Sequence, residues 1–491
     1  MTTTTPIASP TDDAPAVGRS PDAGSTAPTE RYRWRWVALA VVLAAEIMDL
    51  LDSTIVNVAG PSVRNDLGGG ASTLQWLSAA YTLSFAVLLV TGARLGDIFG
   101  RRRLFLIGSA GFTAMSAACA LAPSPELLIA FRALQGAFGA LLIPQGFGLL
   151  KEVFAEDEMA TVFGSFGPVM GLSAIAGPIV AGVLIDANLL GTGWRLVFLI
   201  NVPLGVAALA TAARTLPRGA MTPGARLDVV GMILVGLASV AIIYPLIQGR
   251  EQGWPLWIFA VLACGLALLG AFVVYERRRR ESPLIEPALL GNHAYTSGIL
   301  VALSFFATFA GLMLIVSLFC QLGLGFSPVH AGLTLVPITF AMVLSLGASF
   351  ALVGRFGRRL LHLGVVLAAA GCAALGVTVS GATSASTLAL APSLFVIGLG
   401  AGFIFGQLFD IILAGVAMEQ VGSASGVLNA VQQLASSIGI AVLGTIFFSE
   451  LTGGSLATHA LGTIAWLCLI PLALTFALAF RLPYRARAEA K

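Results

Sequence analysis

The sequence has little charge and almost no lysine. Only 10% of its 491 residues are Asp, Glu, Lys or Arg, whereas about a quarter are charged in a soluble domain. Hydrophobic residues make up 57% of the chain. A chain of this length and composition has too few polar side chains to cover a water-facing surface, so an all-α polytopic membrane protein is predicted.

The motifs of several enzyme classes are also absent. Neither lysine, Lys151 or Lys491, follows a Gly-x-x-x-x-Gly segment, which excludes a phosphate-binding loop and leaves an ion gradient, or the substrate's own, to drive any transport. No Gly-x-Ser-x-Gly or His-Glu-x-x-His segment occurs, so no enzyme is expected. The five cysteines form no Cys-x-x-Cys pair and the four histidines show no ligand spacing. We therefore expect no disulfide, no metal site and no cofactor.

Apolar runs long enough to cross a bilayer recur along the chain, since a span needs about 20 apolar residues. Apolar length and polar punctuation predict fourteen spans, at 36–58, 74–96, 103–122, 126–150, 160–186, 195–214, 228–248, 254–275, 296–321, 329–352, 360–380, 386–414, 422–448 and 460–481.

Basic residues concentrate in the loops on one side of these spans. Among them are "GRRR" at 100–103, "RRRR" at 277–280 and the arginines at 355–359, whereas the opposite side has Arg64, Arg195 and Arg250. The positive-inside rule then places both termini in the cytoplasm, in agreement with an even number of spans. A multi-pass protein of the cytoplasmic membrane is predicted.

The two halves of the chain show weak similarity. "GDIFGRRRLFLIG" (96–108) joins spans 2 and 3, and "GRFGRRLLHLG" (354–364) joins spans 10 and 11. Repeated halves are typical of transporters. The prediction is a disordered tail at 1–30, six-helix bundles at 31–214 and 293–484, two extra helices with a basic loop at 215–292, and a tail at 485–491. The extra pair has almost no ionisable groups and is interpreted as peripheral to translocation.

Span 1 contains three acids. At about 100° per residue, Glu46, Asp49, Asp52, Ser53 and Asn57 fall within about 140° of arc on one helix. Such a stripe must face the bundle interior or a wet cavity, because an ion facing lipid costs several kcal/mol. A carboxyl group at low dielectric holds a proton more readily than one in water, as proton coupling requires. Alternatively, backbone amides or a nearby Arg satisfy these acids structurally.

Six collinear segments resemble those of one family. They are "LDSTIVNVAGPSV" in span 1, "RLGDIFGRRR" (94–103), "RALQGAFGALLIP" (132–144), "AIAGPIVAGVLID" (174–186), "WRLVFLINVPLG" (194–205) and "GSASGVLNAVQQLASSIGIAVLGTIFF" (422–448). Together they resemble the fourteen-span drug:proton antiporters of the major facilitator superfamily, of the EmrB and QacA type. Small departures occur at Ala93, Ile98 and Ala181.

The resemblance implies roles for particular residues. It links Arg132 to proton coupling with Asp52, and Asp49 is the second candidate on the same stripe. It implies a latch by Asp97 and Arg101 against the start of span 13, and a bend at Gly177 and Pro178 that lets the halves rock. The alternatives are an ion pair needed only for folding, a capped turn and a packing kink. All four latch and bend residues are predicted to form a conformational gate.

The predicted substrate cavity contains five polar residues, Glu46, Asn57, Gln135, Gln407 and Asp410. Asp410 is interpreted as the one acid deep in the second half. The resulting hypothesis is proton-coupled export of amphipathic, cationic small molecules by alternating access. The partners expected are a small-molecule substrate, protons and the lipid bilayer, without nucleic acid, and the chain is expected to be a monomer. Alternatives are proton symport of a nutrient, and a membrane sensor or structural protein without transport.

Overall fold

All regular secondary structure in the described part of the chain is helical. The computed structural model describes residue 2 and residues 32–218, 227–279, 283–417 and 420–484. Its helices are α1 (Arg35–Leu67), α2 (Ala71–Phe99), α3 (Arg101–Ala120), α4 (Pro125–Val153), α5 (Glu156–Ala187), α6 (Leu196–Leu199), α7 (Asn201–Thr215), α8 (Val229–Gln248), α9 (Leu256–Arg278), α10 (Pro287–Gly291), α11 (His293–Leu318), α12 (Pro328–Thr334), α13 (Val336–Phe356), α14 (Arg358–Val379), α15 (Thr387–Ala414), α16 (Val421–Thr452), α17 (Ala457–Leu467) and α18 (Leu469–Ala479). The predicted tails, 1–30 and 485–491, lie outside the described residues apart from residue 2.

Thirteen helical segments of the described chain are long and apolar enough to cross a membrane. The predicted class, a helical polytopic membrane protein, is therefore confirmed. α1 is not among these thirteen, although it has 33 residues, and it contains the three acids of the polar stripe.

Several helices differ from their predicted bounds. α1 continues through Pro61 to Leu67, nine residues beyond the predicted end at 58, which adds about 13 Å at 1.5 Å per residue. The apolar segment Pro328–Ser349 is interrupted at Leu335, between α12 and α13. Apolar length predicts where the chain crosses a bilayer, but it does not predict where the helix itself ends or breaks.

The helices alternate in direction, so the bundle has two ends. We call the end at which α1 begins the near end, and the end at which it finishes the far end. At the near end the Tyr32 hydroxyl donates to the Thr215 carbonyl (2.7 Å). At the far end Arg195 donates to Asp66 (2.5 Å). These contacts join the ends of helices that lie far apart in sequence.

The buried apolar side chains fall into groups. Three clusters are built from residues between Ala38 and Leu216. The largest is built from residues between Leu289 and Leu482, joined by Leu74, Ala79 and Leu83 of α2 and by Ile243 and Ile247 of α8. α2 and α8 therefore reach the apolar core of the second half of the chain.

Candidate functional site

The site is centred on Asp52, a carboxylate of α1 that is only 1% exposed. Its Oδ2 accepts a hydrogen bond from Arg132 Nη1 of α4. Its Oδ1 accepts from Gln135 Nε2 of α4 (2.9 Å) and from Asn201 Nδ2 of α7 (3.0 Å). One cation and two amides therefore surround the carboxylate, which offsets the cost of burying its charge.

Arg132 is fully buried and has several partners besides Asp52. Nη1 also donates to Gln135 Oε1 (2.8 Å), and Nε donates to the Leu77 carbonyl of α2 (3.1 Å). The guanidinium lies 4.4 Å from the ring centroid of Tyr81 and 5.8 Å from that of Phe198. Two aromatic faces and three acceptors hold the cation in one position.

The amides are fixed in turn by Ser116 of α3. The Ser116 hydroxyl accepts from Gln135 Nε2 (2.9 Å) and from Asn201 Nδ2 (3.2 Å). Four helices, α1, α3, α4 and α7, thus contribute to one polar network. A network of buried, mutually bonded groups is rigid, and removing one member leaves the others without partners.

Asp49 lies one turn before Asp52 and has a different partner. The Tyr81 hydroxyl of α2 donates to Asp49 Oδ1. The same tyrosine ring lies beside Arg132, so Tyr81 connects the two acids of the stripe. The described contacts of Asp49 include no ion pair, in contrast to those of Asp52.

Glu46 is the third acid of the stripe, and it is 6% exposed. Its Oε1 is buried and has no hydrogen-bond partner among the described residues, and the same is true of Asn201 Oδ1. A buried acceptor without a donor is costly. Among the described residues, these two atoms are the buried side-chain acceptors without a partner on α1 and α7, two of the four helices that contribute to the network.

Glycines let the helices that form the site come close together. A Cβ on Gly136 would contact the Tyr81 carbonyl, and a Cβ on Gly139 would lie 3.1 Å from the Phe85 ring. The seam between α4 and α2 therefore depends on the two glycines that share a face with Arg132.

The two halves of the chain touch at the far end. Asn57 accepts from Ser78 through Oδ1 (3.1 Å), and its carbonyl accepts from Ser317 of α11 (2.8 Å). Gln75 of α2 donates to the Ala441 carbonyl of α16 (3.2 Å). Asn57, predicted as a cavity residue, therefore takes part in a contact between α1, α2 and α11.

The predicted bend at Gly177 and Pro178 lies at the same interface. A Cβ on Gly177 would collide with Thr54 of α1, and a Cβ on Gly332 of α12 would collide with the Pro178 carbonyl. α5 continues as one helix through both residues. The Gly-Pro segment therefore allows α1 and α12 to pack closely on α5.

Asp97 and Arg101 lie at the near end. Arg101 donates to Asp97 (3.2 Å), and its other terminal nitrogen is 3.8 Å from Glu152 of α4. Among the described contacts of Asp97, none involves the start of α16. Between described residues the predicted contact of Asp97 with span 13 is therefore not formed here, and the two halves meet at the far end instead.

The remaining cavity candidates lie apart from the Asp52 network. Gln407 is buried in the second half and donates to Ser349 (3.2 Å). Asp410 is exposed, and it has no ionic or hydrogen-bond partner among the described residues. The neighbouring helices leave this face of α15 uncovered, and the cavity role of Asp410 stays a prediction.

Sequence reasoning missed Tyr81, Ser116 and Asn201. Asn201 belongs to the segment "WRLVFLINVPLG", where a single amide among apolar residues was a usable signal. Tyr81 and Ser116 are ordinary residues of helical spans, and only the packing of α2 and α3 brings them to the acids.

Comparisons with known proteins agree with this architecture. The chain is 50% identical over 449 residues to the "Probable actinorhodin transporter" of Streptomyces coelicolor, covering 90% of this chain and 77% of the relative. It is 35% identical over 446 residues to the "Cephamycin export protein CmcT" of Amycolatopsis lactamdurans, covering 89% and 90%. A solved structure of an auto inhibited POT family peptide transporter superimposes with a TM-score of 0.67 at 14% identity, covering 93% and 98%.

The profile of the family described as Major Facilitator Superfamily matches residues 42–440. That range includes the Asp52 network and the glycines at which the helices pack closely, Gly136, Gly139, Gly177 and Gly332. The family predicted from the six segments is thus confirmed: the chain belongs to the Major Facilitator Superfamily.

Proposed function

We propose that this chain exports amphipathic small molecules, antibiotics among them, in exchange for protons. Two relatives support export, since their names describe an actinorhodin transporter and a cephamycin export protein. The Asp52 network is the observation that carries proton exchange. It is a buried carboxylate that can hold either a proton or its bond to Arg132.

The coupling follows from competition for one negative charge. With Asp52 ionised, the carboxylate and Arg132 neutralise each other. In that state the other acids of the stripe, Asp49 and Glu46, can attract a cationic group on the substrate. A proton on Asp52 removes the attraction to Arg132 and leaves the guanidinium uncompensated, and its positive charge disfavours a cationic substrate. Because proton and substrate each weaken the binding of the other, linkage gives antiport.

Alternating access requires that contacts at one end break while those at the other form. The contacts of Asn57 with Ser317 and of Gln75 with Ala441 hold the far end together here. We infer that this state opens toward the near end. Asp97 and Arg101 then close the near end in the opposite state, with Gly177 and Pro178 at the pivot.

We further propose that α1 is a fourteenth span, with both termini in the cytoplasm. Helix ends with many arginines, such as 101–103, 277–279 and 355–359, lie at the near end, as the positive-inside rule requires of a cytoplasmic side. The bundles are then residues 31–214 and 293–484, separated by the pair in 215–292, and the monomer is the transporting unit in the cytoplasmic membrane.

The test uses purified protein in liposomes with an imposed proton gradient. Ethidium serves as a cationic probe, and actinorhodin and a cephamycin serve as candidate substrates. Export predicts movement of the substrate against the proton flow, lost in Asp52→Asn and in Arg132→Ala. Asp66→Asn is the matched control, because Asp66 is an acid of the same helix that pairs with Arg195 outside the network.

Proton release on adding substrate to detergent-solubilised protein gives a second readout. Release that persists in Asp52→Asn moves the coupling site to Asp49 or Glu46. Movement of substrate and protons in the same direction instead supports symport. Absence of any movement, with proton binding intact, supports a sensor without transport.

A further inference from the structure

Helix α8 and the turn that joins it to α9 contact both halves of the chain. α8 lies against α2, where a Cβ on Gly236 would be 3.2 Å from Val87 Cγ1. On its other side, Thr445 of α16 donates to the Leu246 carbonyl of α8 (2.6 Å). α8 therefore contacts the two helices, α2 and α16, that join across the interface between the halves.

The turn between α8 and α9 caps α2. Glu251 Oε1 accepts from the Ser72 backbone amide (2.8 Å), and Glu251 Oε2 accepts from the Ser72 hydroxyl (2.7 Å). The residue that precedes α2 is Gly70, which has no side chain to cap the helix. A carboxylate at a helix N-terminus satisfies unpaired amides and interacts favourably with the helix dipole. Here that carboxylate comes from the α8–α9 turn.

The same turn reaches α16 through its neighbouring residue. The Arg250 guanidinium lies 5.7 Å from the ring centroid of Phe448 and 3.7 Å from Glu251. One turn thus holds α2 with an acid and α16 with a cation. Ile243 and Ile247 of α8 add buried apolar contact with the core of the second half.

These contacts surround the direct junction of α2 with α16. Gln75 donates to Ala441, and the hydroxyls of Thr82 and Ser437 are 2.6 Å apart. Opening the far end separates α2 from α16. Because α8 touches both, it must lose its contacts with at least one of them when that happens.

We propose that the α8–α9 hairpin is a strap that holds the far end closed, with the Glu251 cap on α2 and the Thr445 bond to α8 as its two attachments. This inference rests on the alternating access proposed above. It assigns a conformational role to the pair that the sequence led us to interpret as peripheral.

The test measures far-end opening directly. Nitroxide labels at Ala187→Cys and Ser384→Cys, both exposed far-end positions in opposite halves, report distances by double electron–electron resonance. The full chain is used in lipid nanodiscs with the exposed Cys264 replaced by Ser. The variants are Glu251→Ala for the attachment to α2 and Thr445→Val for the attachment to α16. Because the Thr445 hydroxyl also accepts from Gln75 Nε2 of α2 (3.4 Å), Thr445→Val is made in a Gln75→Ala background and compared with Gln75→Ala alone.

Glu450→Ala is a closely matched control. Glu450 is also a far-end acid that accepts from a serine hydroxyl, at 2.8 Å from Ser455, and its side chain is 28% exposed against 29% for Glu251. None of its described contacts involves the hairpin. Loss of a far-end carboxylate in general would affect both variants equally, whereas loss of the strap affects Glu251→Ala alone.

The strap predicts about a tenfold increase in the open-to-closed ratio for Glu251→Ala, Thr445→Val or both, and no change for Glu450→Ala. Tenfold is about 1.4 kcal/mol, the scale of a hydrogen bond to a charged group. The variant in which the open-to-closed ratio increases identifies the helix from which the hairpin separates on opening. Unchanged distances in both variants, or an equal shift in the control, overturn the proposal. The distances need neither substrate nor proton gradient, so this outcome is independent of whether the protein is an antiporter.

Discussion

Replacing Arg132 by Gln isolates the energetic role of the buried ion pair. The substitution leaves Asp52 1% exposed and without its cation, while Gln135 and Asn201 still donate to the other carboxylate oxygen. Breaking a buried pair from one side costs about 3–5 kcal/mol, because an uncompensated charge remains. Asp52→Asn leaves Arg132 as the uncompensated ion and belongs to the same range.

The double variant Asp52→Asn with Arg132→Gln removes both charges together. The two amides can bond to each other and to Gln135, so we expect a net loss below about 2 kcal/mol. With each single variant costing at least about 3 kcal/mol, the coupling free energy is about 4 kcal/mol or more. This value is far above the range of about 0–1 kcal/mol that is typical of exposed pairs.

The free energy of unfolding is measured by titration with SDS, with tryptophan fluorescence as the readout. Proton-driven export is measured in liposomes. Stability should return in the double variant, whereas export should not, because no titratable group is left at position 52. Additive destabilisation would show that the two side chains do not interact. Export retained in the double variant would show that coupling resides elsewhere on the stripe.

Three further substitutions test neighbouring contacts. Tyr81→Phe removes the hydroxyl that donates to Asp49 and should cost about 1.5–3 kcal/mol in the same SDS titration, while the ring beside Arg132 is kept; no loss would argue against that bond. Gly177→Ala should lower stability by about 1–3 kcal/mol through collision with Thr54, and Thr54→Ala added to it should restore stability. Gly332→Leu pushes α12 away from Pro178. It should increase the fraction of molecules with a long distance between labels at Ala187 and Ser384, and an unchanged distribution of distances would contradict the proposed far-end closure.

The sequence predicts the class of fold well because each membrane span needs its own run of about 20 apolar residues, which can be recognised locally in the sequence. It also predicts the ion pair, since Asp52 and Arg132 belong to segments that resemble one family. Tyr81 and Ser116 were out of reach, because one hydroxyl in an apolar helix gives no signal of which helix it will face. The exposure of Asp410 was out of reach for a related reason: the face of α15 that its neighbours cover depends on packing, not on local pattern.

The sequence also does not predict which end of the bundle is closed in the structure. The same residues must allow the far end to close and to open, so composition and spacing fit both states. Asn57 illustrates this. Its place on the polar stripe predicts a cavity residue, yet in the closed far end its carbonyl accepts from Ser317. A residue that alternates between two sets of contacts has two structural roles, and the sequence pattern predicts only its role in the cavity.

The partners of the three acids divide the stripe into parts with different chemistry. Asp52 has a cation and two amides, Asp49 has one tyrosine hydroxyl, and Glu46 Oε1 has no partner among the described residues. Compensation thus decreases along α1 toward its near end. A proton or a cationic substrate entering from that end meets the least compensated acid first and the ion pair last. Since Tyr81 touches both Asp49 and Arg132, it is the group through which a change at the outer acids would reach the pair.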